Sequence, residues 1–192
     1  MDSLFEVFEK KAVLHGGTAI WRCYQGNRFS EDVDVYIIRN LEKSDKFFDI
    51  LAKKGLALER KKISENSIYS SLKLENTIVR FEALFKSSDS ILKEYEKADG
   101  NLKTVYTLSA EELIKEKVEA YLRRLKIRDL YDIFFLLRYA KEDVVKNNLI
   151  KLVKEFKEPI DEGNLKILIL EGITPDKNKM LEYIKDYIKY GR

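Results

Sequence analysis

A chain of 192 residues with 45% hydrophobic and 36% charged side chains can bury one substantial core and is too apolar for intrinsic disorder, while a formal charge of +3 does not by itself point to nucleic acid. A single cysteine excludes an intrachain disulfide and leaves a thiolate zinc site without ligands, and a single histidine removes His-rich metal sites and most His-dependent triads. No apolar run approaches the ~20 residues of a membrane helix and the N-terminus lacks a basic-then-apolar leader, so the expectation is a protein of the reducing cytoplasm with no membrane association.

Taken in order, residues 3–11 form an amphipathic helix from Leu4, Phe5, Val7 and Phe8. Residues 12–14 form a short strand, Gly16-Gly17 a turn, and residues 18–24 a helix closed by Gly26. A second strand spans 32–38, and Ser44 caps a helix that runs to Lys54 and ends at Gly55. Residues 56–63, 68–74 and 78–85 read as an antiparallel run, and the polar segment 87–100 as one helix between loops. After a strand at 104–107, the capping box that starts at Ser109 opens a helix to about residue 125. Further helices follow at 128–139, 142–156 and 165–170, and Thr174-Pro175 starts a last one to about Tyr190. The expected fold is α+β, a mixed sheet flanked by helices and followed by a C-terminal helical bundle, divided as 1–107 and 108–192.

Two groups of residues carry chemistry. In Glu31-Asp32-Val33-Asp34-Val35 the carboxylates of Asp32 and Asp34 are two apart on a strand and share a face, which suits a hard divalent cation. Alternation along 78–85 puts Glu82 where it could join them as a third metal ligand, or instead be a surface charge or pair with Arg80. Ahead of them the Gly16-Gly17 turn leads into the helix that starts at Thr18, a passage whose backbone amides and helix N-terminus suit an anion. Arg28 reads as a phosphate contact and Ser30 as a hydroxyl that orients a carboxylate, or both as solvated loop residues. His15 reads as a packed or partly buried side chain beside the turn, or as a hydrogen-bonding group near the site. The second group is helical: Lys117, Tyr121 and Arg124 lie on one face, and Asp129 and Asp132 lie one turn apart on the next helix. Alone, this reads equally as a salt-bridged hairpin. The cations Arg22, Arg123, Arg124, Lys126 and Arg128 suit either an RNA groove or a solvated helix end.

The Gly-Gly-Thr turn followed thirteen residues after Thr18 by Asp-Val-Asp resembles the polymerase-beta-type nucleotidyltransferases. With Lys117 and the Arg-Asp-Leu-Tyr-Asp-Ile run at 128–133, the chain resembles the AbiEii/AbiGii nucleotidyltransferase family, the toxin component of abortive-infection toxin–antitoxin systems. The resemblance covers about residues 12–139. It implies that Gly16, Gly17 and Thr18 bind the triphosphate of an NTP and that Asp32 and Asp34 hold Mg²⁺ or Mn²⁺. It implies that Lys117 is a phosphate contact or proton-transfer group, with Asp129 or Asp132 as a distal acid supplied by the helical domain. Such a pair of ions, ~3.5–4 Å apart, activates the attacking oxygen and neutralises the leaving pyrophosphate. The implied reaction moves an NMP from an NTP to a hydroxyl on a tRNA 3′ end or a protein, with a cognate antitoxin as partner. The alternatives are a non-catalytic NTP- or RNA-binding module and an antitoxin-type nucleotidyltransferase that modifies a partner toxin.

Overall fold

A computed structural model describes residues 1–191 and resolves two compact units. One comprises Met1–Cys23 and Ser30–Leu108; the other comprises Tyr24–Phe29 and Ser109–Arg192. Among the described residues no helix is long and apolar enough to cross a membrane.

The first unit holds helix α1 (Asp2–Phe8), strand β1 (Ala12–His15), helix α2 (Gly16–Cys23), strand β2 (Val33–Ile37), helix α3 (Leu41–Lys53) and strands β3 (Ala57–Ile63), β4 (Ser67–Leu74), β5 (Thr77–Phe85), β6 (Ile91–Glu96) and β7 (Leu102–Thr107). All seven strands form one mixed sheet in the order β3-β4-β5-β2-β1-β7-β6. β3, β4 and β5 make the expected antiparallel run, whereas β5 joins β2 in parallel and β7 joins β1 in parallel. In β4 the side chains of Ile68, Ser70 and Leu72 are buried, while Tyr69 and Ser71 on the opposite face are half-buried and Lys73 is exposed. The buried face is covered by α3, whose Phe47 ring lies 4.9 Å and Phe48 ring 6.1 Å from Phe81 of β5. Neighbouring strand residues point to opposite faces, so Arg80 and Glu82 stand on the face that α3 leaves open.

Several local expectations need correction. Residues 91–96, expected within a helix, form strand β6, because ladder pairing with β7 from Ile91↔Thr107 to Glu96↔Leu102 satisfies their backbone. The cap of α3 is Asn40, whose side chain accepts from the Lys43 amide, while Ser44 sits buried inside the helix with its hydroxyl donating to the Asn40 carbonyl. The helix after β1 begins at Gly16, so the glycines form its opening turn. It ends at Cys23, and Gln25, not Gly26, takes the left-handed conformation that follows. The last helix is capped by Asp176.

The second unit holds α4 (Ala110–Arg124), α5 (Ile127–Leu136), α6 (Glu142–Lys154), the short α7 (Leu165–Leu168) and α8 (Lys177–Tyr190). Ser109 caps α4 by accepting from the Glu112 amide, as the capping-box spacing requires. Leu113, Ile114, Val118, Leu130, Ile133, Leu136, Val145, Leu149, Met180 and Ile184 are buried between the packed pairs α4–α5, α4–α6, α5–α8 and α6–α8. Residues 24–29 run along these helices. The Tyr139 hydroxyl donates to the Tyr24 carbonyl at 2.9 Å, and the Phe29 amide donates to the Leu168 carbonyl at 2.8 Å.

Candidate active site

In the sheet, β2 sets the geometry. Its antiparallel register with β1 places His15 opposite Asp34, and its parallel register with β5 places Asp34 beside Glu82. Paired residues of adjacent strands share a face, so His15, Asp34 and Glu82 form a row across three strands. Tyr36, two residues beyond Asp34, stacks on the His15 ring at 3.9 Å with the planes 16° apart. Gly16 follows His15 directly with φ +71°, and a Cβ there would collide with the Asp34 carboxylate. Glycine alone allows the first turn of α2 to lie against that carboxylate. Thr18 is buried and its hydroxyl donates to the Asp32 carbonyl, with a longer contact of 3.5 Å to the Ser30 carbonyl. The start of α2 is thereby pinned to the lead-in of β2, and Ser30 contributes its main chain to that clasp.

The carboxylates of this row repel one another. Desolvation, then Asp34, then Asp32 push the Glu82 carboxyl above its usual range. Asp32, one residue before β2, is held by the Arg80 guanidinium, with Nε 2.7 Å from Oδ1 and Nη2 3.0 Å from Oδ2. Nη2 also reaches Glu31 at 3.2 Å. Among the described residues no group of three or more His, Cys, Asp or Glu side chains is gathered as a metal site. By donor type Asp32, Asp34 and Glu82 nonetheless fit a hard cation, since all are carboxylates and their mutual repulsion calls for positive charge.

In the helical unit, four buried charged side chains, Arg28, Lys117, Asp129 and Asp132, form a cluster that the partly exposed Arg124 closes at its edge. Asp129 and Asp132 of α5 have no exposed surface. Asp132 accepts from Arg28 Nε at 2.8 Å and Nη2 at 2.9 Å, and lies 2.7 Å from Lys117 Nζ. The third Arg28 nitrogen donates to the Phe29 carbonyl at 2.9 Å, so its fork is closed within the unit. Asp129 accepts two bonds of 2.7 Å from Arg124 and lies 3.5 Å from Lys117. Burial works to raise Asp132, but the charges of Arg28 and Lys117 outweigh it and hold the carboxyl below its usual range. Burial likewise opposes the charge of Arg28, and Asp132 outweighs it, so the guanidinium pKa is raised.

The structure thus brings together Gly16, Thr18, Asp34, Glu82 and the main chain of Asp32 and Ser30 in one unit, and Arg28, Lys117, Asp129 and Asp132 in the other. Arg80 does not pair with Glu82, the partner that alternation suggested, but with Asp32 and Glu31. That partnership depends on the parallel β2–β5 register, which joins segments 48 residues apart, and no local pattern encodes it.

Solved structures of similar fold include JHP933 from Helicobacter pylori, with TM-score 0.62 and 17% identity over 98% of this chain and 88% of that one. Another is a putative nucleotidyltransferase from H. pylori, also at TM-score 0.62 and 17% identity, over 99% and 93% of the two chains. The antibiotic-resistance factor ANT(2″)-Ia follows at TM-score 0.52 and 10% identity, over 81% and 90%. Among curated proteins none matches the chain in sequence. The family model described as "Nucleotidyl transferase AbiEii toxin, Type IV TA system" matches residues 2–182, nearly the whole length, and the chain belongs to that family of nucleotidyltransferase toxins.

Proposed function

We propose that this nucleotidyltransferase binds an NTP over the start of α2 and transfers its NMP to a hydroxyl acceptor. The observation that carries this is the row of Asp34 and Glu82 against the glycine-initiated helix, with Asp32 one residue before the strand. The first-turn amides of α2 suit the phosphates, and the bare Cα of Gly16 lets that turn lie against Asp34. Asp32, Asp34 and Glu82 would hold Mg²⁺ or Mn²⁺, which supplies charge neutralisation for the leaving pyrophosphate and acidifies the attacking hydroxyl. Thr18 orients this lead-in through its bond to the Asp32 carbonyl. From the helical unit the reading takes Lys117 as the phosphate contact. It takes Asp132, 2.7 Å from Lys117 Nζ, as the distal acid in preference to Asp129, which lies 3.5 Å from it. The short, closed fork of Arg28 then serves to orient Asp132.

The family supports a cognate antitoxin as partner, and the acceptor we favour is the 3′ end of tRNA. Incubation with labelled NTPs, Mg²⁺ and total tRNA tests this: wild type labels RNA and Asp34→Ala does not. Label on protein instead would assign the antitoxin-type reaction. Nucleotide binding without pyrophosphate release would assign the non-catalytic module, and equal labelling by wild type and Asp34→Ala would remove the site assignment.

A further inference from the structure

We infer that Arg80 is an internal competitor for the metal, a tethered cation that occupies the Asp32 carboxylate until a divalent ion displaces it. The inference rests on the metal-dependent reading above and concerns how that same site is regulated. Both Asp32 oxygens accept from one guanidinium, at 2.7 and 3.0 Å, and a bidentate fork leaves a carboxylate its weaker lone pairs for any other cation. Arg80 is fixed near Asp32 by the β2–β5 register, in which Val33 pairs with Phe81, so positions 32 and 80 lie side by side. Glu31 braces the same guanidinium through Nη2, which it meets at 3.2 Å. The Asp32 side chain is 22% exposed and that of Arg80 42%, so the fork has solvent access and can open without unfolding the sheet. With Arg80 in place, the three carboxylates are not gathered into a ligand set; Asp32 faces the guanidinium.

Removing the competitor tightens the ion. Exposed ion pairs are worth up to about 1 kcal/mol, so Arg80→Gln is expected to lower the Mg²⁺ Kd about fivefold in calorimetric titration of the full chain. Arg80→Lys keeps the charge but loses the fork and falls between the two. Lys73→Gln removes an equal charge from the neighbouring strand β4, where Lys73 faces Glu59 at 3.9 Å, and changes the Kd less than twofold. In the NMR spectrum the Arg80 Nε–Hε resonance, identified by its absence in Arg80→Gln, shifts with the same midpoint as the Mg²⁺ isotherm. Equal tightening by Arg80→Gln and Lys73→Gln would replace competition by a general field effect and overturn the inference. So would an Hε resonance that stays still while Mg²⁺ binds. Asp34→Asn separates the two levels: if it binds Mg²⁺ as wild type does, or if no variant binds Mg²⁺, the underlying metal-site reading falls and not merely the role of Arg80.

Discussion

Replacing Asp132 by asparagine should cost the helical unit about 3 kcal/mol. Asp132 is fully buried and accepts three charge-assisted contacts, at 2.8 and 2.9 Å from Arg28 and 2.7 Å from Lys117, both of which are also buried. Removing one partner of a buried ion pair costs about 3–5 kcal/mol, chiefly because the remaining charges lose their compensation. The lower end applies, since Lys117 keeps Asp129 at 3.5 Å and the asparagine oxygen still accepts one bond from Arg28. Against a total stability of ~5–15 kcal/mol, this moves the folding equilibrium of the unit roughly a hundredfold. Urea unfolding should be followed by far-ultraviolet circular dichroism, which the helices dominate; the sole tryptophan, Trp21, lies on α2 of the sheet unit and reports that unit separately. Replacing the pair together, as Arg28→Met with Asp132→Leu, should cost less than Asp132→Leu alone, because no uncompensated guanidinium is left inside. A loss under about 1 kcal/mol for Asp132→Asn, or a double variant no better than the single, would refute a stabilising role for the cluster.

The same carboxylate gives an acid limb to stability. Its folded pKa is depressed below the ordinary 3.8, so the folded state binds fewer protons than the unfolded chain, and its contribution is complete above 3.8 and lost as pH falls through the lower folded value; Asp132→Asn should show a flatter acid limb between pH 5 and 2. Gly16→Ala forces an L-residue to φ +71° at about 1–2 kcal/mol and drives its Cβ into the Asp34 carboxylate. Pyrophosphate release should therefore fall about a hundredfold with circular dichroism unchanged, and undiminished activity would remove Asp34 from the site. Burial pushes the Cys23 thiol up to about 12, leaving roughly one molecule in ten thousand as thiolate at pH 8, so Ellman's reagent should react only after denaturation.

The parts of the fold legible in the sequence are those fixed by local periodicity and capping. The alternation through Val33, Asp34 and Val35, the three antiparallel strands, and the Ser109 capping box each follow from residues within a few positions of one another. Strand β6 was not legible, because Ile91-Leu92-Lys93-Glu94-Tyr95-Glu96 lacks strict alternation and is made a strand by pairing with β7. Asn40 was hidden by a second good capping residue, Ser44, one turn later; the choice fell to Asn40 because Ser44 is needed inside the buried face of α3. The sheet order could not be read from any local pattern, since the parallel β2–β5 pairing joins segments far apart in the chain.

Among the candidate residues of the two units, residue type identified the candidates but burial decides what each can do. Asp32 and Asp132 are gripped in the same way, each by both ends of one arginine fork at 2.7–3.0 Å. Their surroundings differ: the Arg80–Asp32 side chains are 42% and 22% exposed, the Arg28–Asp132 side chains 5% and 1%. In water-accessible surroundings such a pair is worth at most about 1 kcal/mol and can be exchanged for another cation, whereas in the interior its loss strands a buried charge at about 3–5 kcal/mol. The exposed fork can therefore open at little cost while the buried one stays shut for as long as the helices are folded. A substitution at Arg80 should accordingly be read out in metal affinity, and one at Arg28 in unfolding. If Arg28→Met left the unfolding free energy unchanged while Arg80→Gln lowered it by about 3 kcal/mol, burial would not be what distinguishes the two forks.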